Sequence, residues 1–387
     1  MVEKFHFFPL IKMKRSERSC LKKSFNLFSG DNITPYLELL LEKGEDGKAD
    51  ISSVNSWLAD FLEKKPSASL VIEFFHGKSL LTRAGAEKVG NHDYLSLQNG
   101  NKLYLNDTES LFDYPAAVPC YVVDQITINN PENFTHFIQM GHNKKTPVGL
   151  RIDITGIIDF SFLSSTLSQL TSDDFLFLDF KKDSYSKKMA LVEEQILKKG
   201  YKAKISILSD DRPSKTNSSY NHSGYDKEVK DGPSIINMDN RNASPTKPQL
   251  YGFGGYCGAK NNLDSGGSSN NKMYALALIY DDSKRMFYSI VSESGRGQQD
   301  YADVKKEVLK QKALFDQDGK CPAYKFIEDK KEPGGWTTWI LFGIIRYIDQ
   351  MRRYLVREKE GTTPKPSESD ELFEEFLQAN QKASQQE

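Results

Sequence analysis

Charged side chains interrupt or end several strongly apolar segments, and these are the residues of the sequence that could do chemistry. FHFFPLIKMKRSER (5–18) ends in a group of cations that includes Lys12 and Lys14, and GLRIDI (149–154) carries Arg151 and Asp153. Residues two apart on a strand face the same side. A charge in such a segment is costly unless it is paired or hydrated. The pattern therefore predicts that cations and carboxylates from different segments meet.

Opposite charges are available for such pairing. Three combinations offer enough opposite charge to balance: Arg151 with Asp153, Glu38 with Lys14, and Asp179 with Lys181. A network of structural ion pairs and a functional pocket both fit this pattern, and the sequence leaves the two open.

In the functional interpretation, the carboxylates and the cations have different roles. Carboxylates act as acid, base or ligands of a divalent metal such as Mg or Mn, while cations hold an anion such as phosphate. The candidate catalytic residues are Glu38, Glu73, Asp153 and Asp179. The candidate ligand-binding residues are Lys12, Lys14, Glu17, Arg151, Lys181 and Arg296.

No other motif points clearly to a cofactor. YGFGGYCGAKNN (251–262) matches neither GxGxxG nor the Walker pattern, so we interpret it as a tight aromatic-glycine turn. The histidines show neither HExxH nor HxH spacing, and the four cysteines form no CxxC pair. We therefore assign no dedicated metal ligands, and the cofactor stays unknown.

Near-continuous apolar runs alternate with helical patterns over the first 210 residues. Runs of this kind are typical of strands buried on both faces of a parallel sheet. The predicted strands are 5–11, 33–40, 69–75, 118–123, 148–154, 175–180 and 202–208. Helical periodicity is found at 16–28, 52–65, 130–144, 160–170 and 186–200.

Seven strands need an eighth to close a barrel, and MYALALIYDD (273–282) is the predicted eighth, with RMFYSIVSE (285–293) as its hairpin partner. The predicted fold is α/β, a modified (β/α)8 TIM-like barrel. A doubly wound open sheet is the alternative, because strand order cannot be read from one sequence. In a barrel, the candidate residues would lie together at the carboxyl ends of the strands.

The chain is predicted to form one barrel-like domain over residues 1–361. Within it, 210–271 is a polar insert expected to be mobile, because it has few apolar side chains to offset the entropy of ordering. A late β-hairpin and helices fill 273–360. Residues 362–387 are predicted to be a linker and a short acidic C-terminal helix.

The overall charge does not favour nucleic acid or an anionic membrane as a partner. The formal net charge is −1, so any such contact must come from local patches. WTTWILFGIIRYI (336–348) is interrupted by Arg346 and is too short for a membrane span, so we predict a buried helix and no membrane association. The N-terminus lacks the features of a secretory signal, which favours a cytoplasmic protein.

The opening FFPLIKMKRSERSCLKKSF, followed by ITPYLEL, resembles the start of the Beta family proteins of bacteria and phages. The glycine stretch YGFGGYCGA and the segment 273–293 are also similar to that family. Relatives often carry paired histidines in the last helix, where this chain has Arg346 and Tyr347. The matching positions at the start are Pro9, Lys12, Lys14, Glu17, Ile33, Pro35 and Glu38.

The resemblance implies a barrel-like protein associated with mobile elements and antiviral defence, sometimes encoded beside a nuclease. It adds weight to Lys14, Glu17 and Glu38 and makes a protein partner expected, but it implies no reaction. The first hypothesis is a component of a bacterial defence or mobile-element system that binds a phosphorylated ligand or nucleic-acid end and acts with a partner protein. The alternatives are a metal-assisted phosphodiesterase or nuclease-like hydrolase, and a non-catalytic adaptor whose acidic tail docks on a partner.

Overall fold

A computed structural model describes most of the predicted barrel and the helices that follow it. The described residues are 6–13, 25–28, 32–39, 42–43, 49–50, 56, 58–61, 63, 70–74, 100–114, 117–125, 127–155, 159–181, 185–209, 223–225, 250–256, 275–281, 286–293 and 297–360. Of the predicted site residues, Lys14, Glu17 and Arg296 lie outside this part of the chain, as do the predicted tail at 362–387 and most of the insert at 210–271.

The described strands and helices follow the predicted alternation. The strands are β1 (His6–Lys12), β2 (Tyr36–Leu39), β3 (Glu42–Lys43), β4 (Ala49–Asp50), β5 (Leu70–Phe74), β6 (Ala117–Val123), β7 (Gly149–Asp153), β8 (Phe175–Asp179), β9 (Lys204–Ser209), β10 (Gly224–Tyr225), β11 (Gly252–Tyr256), β12 (Leu276–Asp281) and β13 (Met286–Val291). The α-helices are α1 (Gly100–Glu109), α2 (Pro131–Asn143), α3 (Ser164–Leu167), α4 (Tyr185–Gln195), α5 (Tyr301–Lys310), α6 (Lys312–Phe315), α7 (Pro322–Glu328) and α8 (Trp336–Glu360).

Eight strands close a barrel in the order β1-β11-β9-β8-β7-β6-β5-β2, and every neighbouring pair in it is parallel. The predicted α/β TIM-like barrel is therefore confirmed, and the open sheet is excluded. All seven strands predicted from the first 210 residues are barrel strands.

The eighth strand was predicted wrongly. It is β11, which lies inside the predicted polar insert and in the glycine stretch that we interpreted as a turn. Strand β12, the predicted eighth, instead pairs antiparallel with β13, and the pair forms a separate three-stranded sheet with β10. The hairpin itself is thus confirmed, but outside the barrel.

Glycines explain why β11 is inconspicuous in the sequence. A Cβ at Gly252 would overlap the carbonyl oxygen of His6, and one at Gly254 would overlap that of Phe8. Strand β11 therefore needs small residues to approach β1. This requirement removes the apolar pattern by which a buried strand is recognised.

The barrel encloses its own apolar core, separate from the larger core beneath the helices. Alternate residues of each strand point inward. The inward-facing apolar residues are Phe8, Leu10, Tyr36, Val71, Val118, Cys120, Phe177 and Leu208. Inward positions nearer the carboxyl ends carry charges instead, so the apolar filling supports an ionic layer above it.

Helix α8 confirms the prediction that residues 336–348 form a buried helix. It packs on β12, and Arg346 donates from Nε to the carbonyl oxygen of Tyr280 at 3.0 Å. Tyr347 packs against the rings of Tyr280, Phe287 and Phe7. Among the described helices, none is long and apolar enough to cross a membrane.

Candidate functional site

Strand register brings the predicted charged residues side by side at the carboxyl end of the barrel. Lys12 of β1 is the partner of Glu38 on β2, and Glu38 is the partner of Glu73 on β5. On the other side of the barrel, Asp153 of β7 is the partner of Asp179 on β8. The charges therefore form one layer across the barrel interior.

Arg151 is the centre of this layer. Its Nη1 donates to Glu38 Oε1 at 2.9 Å and also to Glu73 Oε1. Its Nε and Nη2 both lie 2.9 Å from Asp179 Oδ2. Three buried carboxylates thus surround one buried guanidinium. The attraction between these opposite charges offsets part of the free energy needed to remove them from water.

The pairing differs from the one expected from the sequence. Arg151 does not pair with Asp153 but with carboxylates of three other strands. Glu38 pairs with Lys12, whose Nζ lies 3.3 Å from Glu38 Oε2, whereas the expected partner Lys14 is outside the described residues. The Lys181 side chain pairs with Asp153 and not with Asp179. Sequence proximity suggested the wrong partners for Arg151 and Lys181 because inward side chains of a strand contact those of other strands.

Asp153 and Lys181 form a second ion pair. Asp153 Oδ1 also accepts hydrogen bonds from the backbone N–H of Thr155 at 3.0 Å and from its hydroxyl at 2.5 Å. Lys181 follows β8 with a φ of 49°, and its backbone N–H donates to Asp179 Oδ1 at 3.0 Å. The Lys181 side chain is 32% exposed, so among the described cations of the layer it is the most open to solvent.

The two glutamates that share Arg151 Nη1 have opposite pKa shifts. Burial alone would raise the pKa of Glu38, but the charges of Lys12 and Arg151 hold that pKa below its ordinary value. Burial raises the pKa of Glu73 to about 8, against the opposing effect of Arg151, and the negative charge of Glu38 adds to the rise. Neighbouring carboxylates with pKa values pushed apart divide into a proton donor and a proton acceptor. The raised pKa makes Glu73 the member that holds a proton more readily.

Tyr36 and Cys120 belong to the site, but sequence reasoning missed both. The Tyr36 hydroxyl lies 2.5 Å from Glu73 Oε2 and 3.1 Å from the Cys120 thiol. The available signal was spacing: Tyr36 precedes Glu38 by two residues on one strand, so it faces the same side. Neither Tyr36 nor Cys120 is charged, so neither stands out in an apolar segment as a candidate site residue. The spacing rule would have identified Tyr36 as a neighbour of Glu38.

Seven predicted site residues therefore lie in the charged layer. Five form one connected network: Lys12, Glu38, Glu73, Arg151 and Asp179. Asp153 and Lys181 form the adjoining pair, joined to the network where the Lys181 amide reaches Asp179.

A metal ion has no prepared place among these carboxylates. Within the described ranges, no three His, Cys, Asp or Glu side chains are arranged to hold one. Glu38, Glu73 and Asp179 all point at Arg151, whose guanidinium takes the position that a cation would take between them. A metal bound by these three carboxylates would require Arg151 to leave.

The fold and the site together define a closed (β/α)8-type barrel with an ionic layer at its carboxyl end. In comparisons with known proteins, no family model matches this sequence, and no curated protein matches it. The likeness to Beta family proteins therefore remains a prediction from the motifs.

Proposed function

We propose that this protein binds an anionic, phosphate-bearing ligand, either a phosphorylated small molecule or a nucleic-acid end, at the carboxyl mouth of the barrel. The observation that supports this function is the convergence of three cations there, with Lys181 outermost. Carboxyl ends of barrel strands are where ligands bind in this architecture. Lys181 makes the direct contact, because the carboxylates around the buried Lys12 and Arg151 already balance the charges of those two cations.

To bind a ligand, the Lys181 ammonium must exchange its partner Asp153 for the anion, and the surroundings of Lys181 allow this exchange. When its ammonium turns from Asp153 to a ligand, Asp153 keeps two hydrogen bonds from Thr155. Both of these hydrogen bonds go to Oδ1, so Oδ2 loses the Lys181 contact, and the ligand must offset that loss. Arg151 has no such freedom, because three buried carboxylates would lose its positive charge at once.

The biological setting that we propose comes from the resemblance described above. In it, the protein is a cytoplasmic component of a bacterial antiviral-defence or mobile-element system and acts with a protein partner such as a nuclease. The adaptor alternative depends on residues 362–387, outside the described residues. Deleting that segment and testing for loss of a co-purifying partner would separate the adaptor from the ligand-binding protein.

Replacing Lys181 with asparagine is expected to weaken binding of phosphate-bearing ligands about tenfold. Asparagine removes the charge and still tolerates the positive φ of this position. The magnitude corresponds to the loss of one charge-assisted hydrogen bond, about 1.4 kcal/mol. Calorimetric titrations with pyrophosphate, and with matched oligonucleotides bearing a 5′-phosphate or a 5′-hydroxyl, would measure it.

Lys198→Asn is the matched control for this experiment. Lys198 is also a lysine paired with one carboxylate, Glu194 at 2.8 Å, but it lies on the segment after α4 rather than in the ionic layer. Equal affinities of the wild type and Lys181→Asn, or equal losses in both variants, would contradict binding at this mouth.

A second candidate function is acid–base hydrolysis of a phosphodiester, and the opposite pKa shifts of Glu38 and Glu73 favour it. Protonated Glu73 would give its proton to the leaving oxygen, while ionised Glu38 would accept one from the attacking water. It ranks second because Glu73 is buried, so a substrate must displace part of the layer to reach it. The metal-assisted version requires the larger rearrangement of Arg151 described above.

If the protein is such a hydrolase, Glu73→Gln is expected to reduce hydrolysis of bis(p-nitrophenyl) phosphate by about 100-fold or more, because it removes the transferable proton. The matched control is Glu194→Gln, which changes an exposed glutamate. Assays with and without Mg²⁺ or Mn²⁺ separate direct from metal-assisted catalysis. Activity that survives Glu73→Gln would exclude this mechanism.

A further inference from the structure

A chain of three buried side chains connects the ionic layer with the apolar interior of the barrel. The Tyr36 hydroxyl is the middle member, 2.5 Å from Glu73 Oε2 and 3.1 Å from Cys120 Sγ. Glu73 in turn accepts from Arg151. All three members are buried, so each polar hydrogen in the chain needs an acceptor within the protein.

The chain has two complete arrangements that differ by one proton on Glu73. When Glu73 is ionised, the Tyr36 hydroxyl donates to it and accepts from the Cys120 thiol. When Glu73 is protonated, it donates to the Tyr36 oxygen, and the Tyr36 hydroxyl turns to donate to Cys120 Sγ. Only the hydroxyl and thiol hydrogens rotate. In the second arrangement the Cys120 thiol turns to the Tyr121 carbonyl oxygen, 4.0 Å from Sγ, so each buried donor keeps a partner.

We propose that Tyr36 is a positioning residue that sets the protonation state of Glu73, and that this state controls how strongly the barrel mouth binds an anion. The second half of this inference rests on the proposed function; the first half does not. Tyr36 touches no ligand in this role and acts through Glu73.

Other groups face Glu73 and fix the background on which Tyr36 acts. Glu38 on β2 and Asp179 on β8 disfavour its ionised form, and Arg151 on β7 favours it. Cys120 on β6 and Tyr104 on α1 also interact with the Glu73 charge.

The consequence for the ligand follows from the charge of the layer. With Glu73 neutral, the cations of Lys12, Arg151 and Lys181 balance the three remaining carboxylates, Glu38, Asp153 and Asp179. With Glu73 ionised, the layer gains one negative charge that repels an anion. Since the pKa of Glu73 is raised to about 8, phosphate should bind more tightly below that pH and more weakly above it.

Tyr36→Phe and Cys120→Ala are expected to shift the titration of Glu73 in opposite directions. Phenylalanine removes the hydrogen bond with Glu73 in both states, but the charge-assisted bond to ionised Glu73 is the stronger of the two, so the midpoint should rise by about one pH unit. Alanine at position 120 leaves the Tyr36 hydroxyl without an acceptor when Glu73 is protonated, so the midpoint should fall. If Tyr36 and Cys120 served only to pack the barrel interior, the two substitutions would not shift the midpoint in opposite directions.

Infrared difference spectroscopy of the ligand-free protein measures this titration through the carbonyl stretch of the protonated carboxyl group, with Glu73→Gln identifying the band. Tyr324→Phe is the matched control. It removes a buried hydroxyl on α7 for which the described structure shows no hydrogen-bond partner, and it should leave the midpoint unchanged. The pH dependence of pyrophosphate affinity is then measured on the same proteins.

We expect the infrared midpoint to rise in Tyr36→Phe and to fall in Cys120→Ala. We expect the pH dependence of pyrophosphate affinity to shift in the same directions. Midpoints that stay at the wild-type value in both variants would overturn the role of Tyr36, even if pyrophosphate binds. Shifted midpoints in a protein that binds no pyrophosphate at any pH would overturn the proposed function and leave the control of Glu73 standing. If Tyr36→Phe fails to fold, a Cys120→Ala midpoint that does not fall overturns the inference by itself.

Discussion

Replacing Arg151 with methionine is expected to lower the free energy of unfolding by about 3–5 kcal/mol, the usual cost of removing one partner from a buried ionic network. Methionine has a similar length but no charge. Asp179 would lose its contacts from Nε and Nη2, and Glu38 and Glu73 would lose the Nη1 that they share. Urea unfolding followed by circular dichroism would measure the loss.

Arg353→Met is the matched control. Arg353 also contacts two carboxylates, those of Asp349 and Asp318, but its side chain is 26% exposed, and Asp349 keeps Arg352 as a partner. We expect a loss of about 1 kcal/mol or less there.

A rescue variant tests the physical cause of the Arg151 effect. Arg151→Met combined with Asp179→Asn should recover at least about 1 kcal/mol, because it neutralises a carboxylate that Arg151→Met leaves uncompensated. A double variant less stable than Arg151→Met alone would show that the loss came from packing and not from charge.

Replacing Gly254 with valine is expected to destabilise the barrel by about 3 kcal/mol or more. A Cβ there would overlap the backbone oxygen of Phe8 and also the side chain of Leu208, and backbone cannot yield as a flexible side chain can. Strand β11 lies between β1 and β9 in the barrel. It would have to move away from β1, and the barrel would open between β11 and β1. Thermal and urea unfolding would both report the change.

Gly343→Ala provides the matched control for the glycine prediction, with the opposite sign. Gly343 lies within α8, and a Cβ there would meet the Leu278 carbonyl oxygen at an ordinary 3.4 Å. Alanine should therefore stabilise the helix by up to about 1 kcal/mol. A Gly254→Val protein as stable as the wild type would mean that β11 does not need its close approach to β1.

The two interpretations of the charges that the sequence left open apply to different parts of the layer. The five-residue network around Arg151 is buried and mutually compensated, which is what a structural ion cluster requires. The pair of Asp153 and Lys181 is partly exposed and keeps backup hydrogen bonds, which is what an exchangeable binding group requires. Stability measurements on Arg151 and binding measurements on Lys181 therefore test separate claims.

The sequence by itself determined the class of fold. Seven barrel strands were predicted correctly because most of their residues are apolar, as in 175–180, and burial on both faces favours such a composition. Helix α2 was equally clear, with Pro131 at its first turn and an apolar face that includes Phe134 and Phe137. The same rule of strand ends in a barrel also predicted that the charged residues would converge.

Tertiary structure alone decided how the barrel closes and which charges pair. The closing strand β11 has glycines at positions where other barrel strands have apolar side chains. A side chain at these positions would overlap the backbone of β1, so the sequence of β11 lacks the apolar pattern of a buried strand. The partners of Arg151 come from β2, β5 and β8, between 28 and 113 residues away along the chain. A strand's sequence fixes which side chains point inward, but the partner that each one meets depends on the register of strands distant in sequence, and that register is set only when the whole barrel packs.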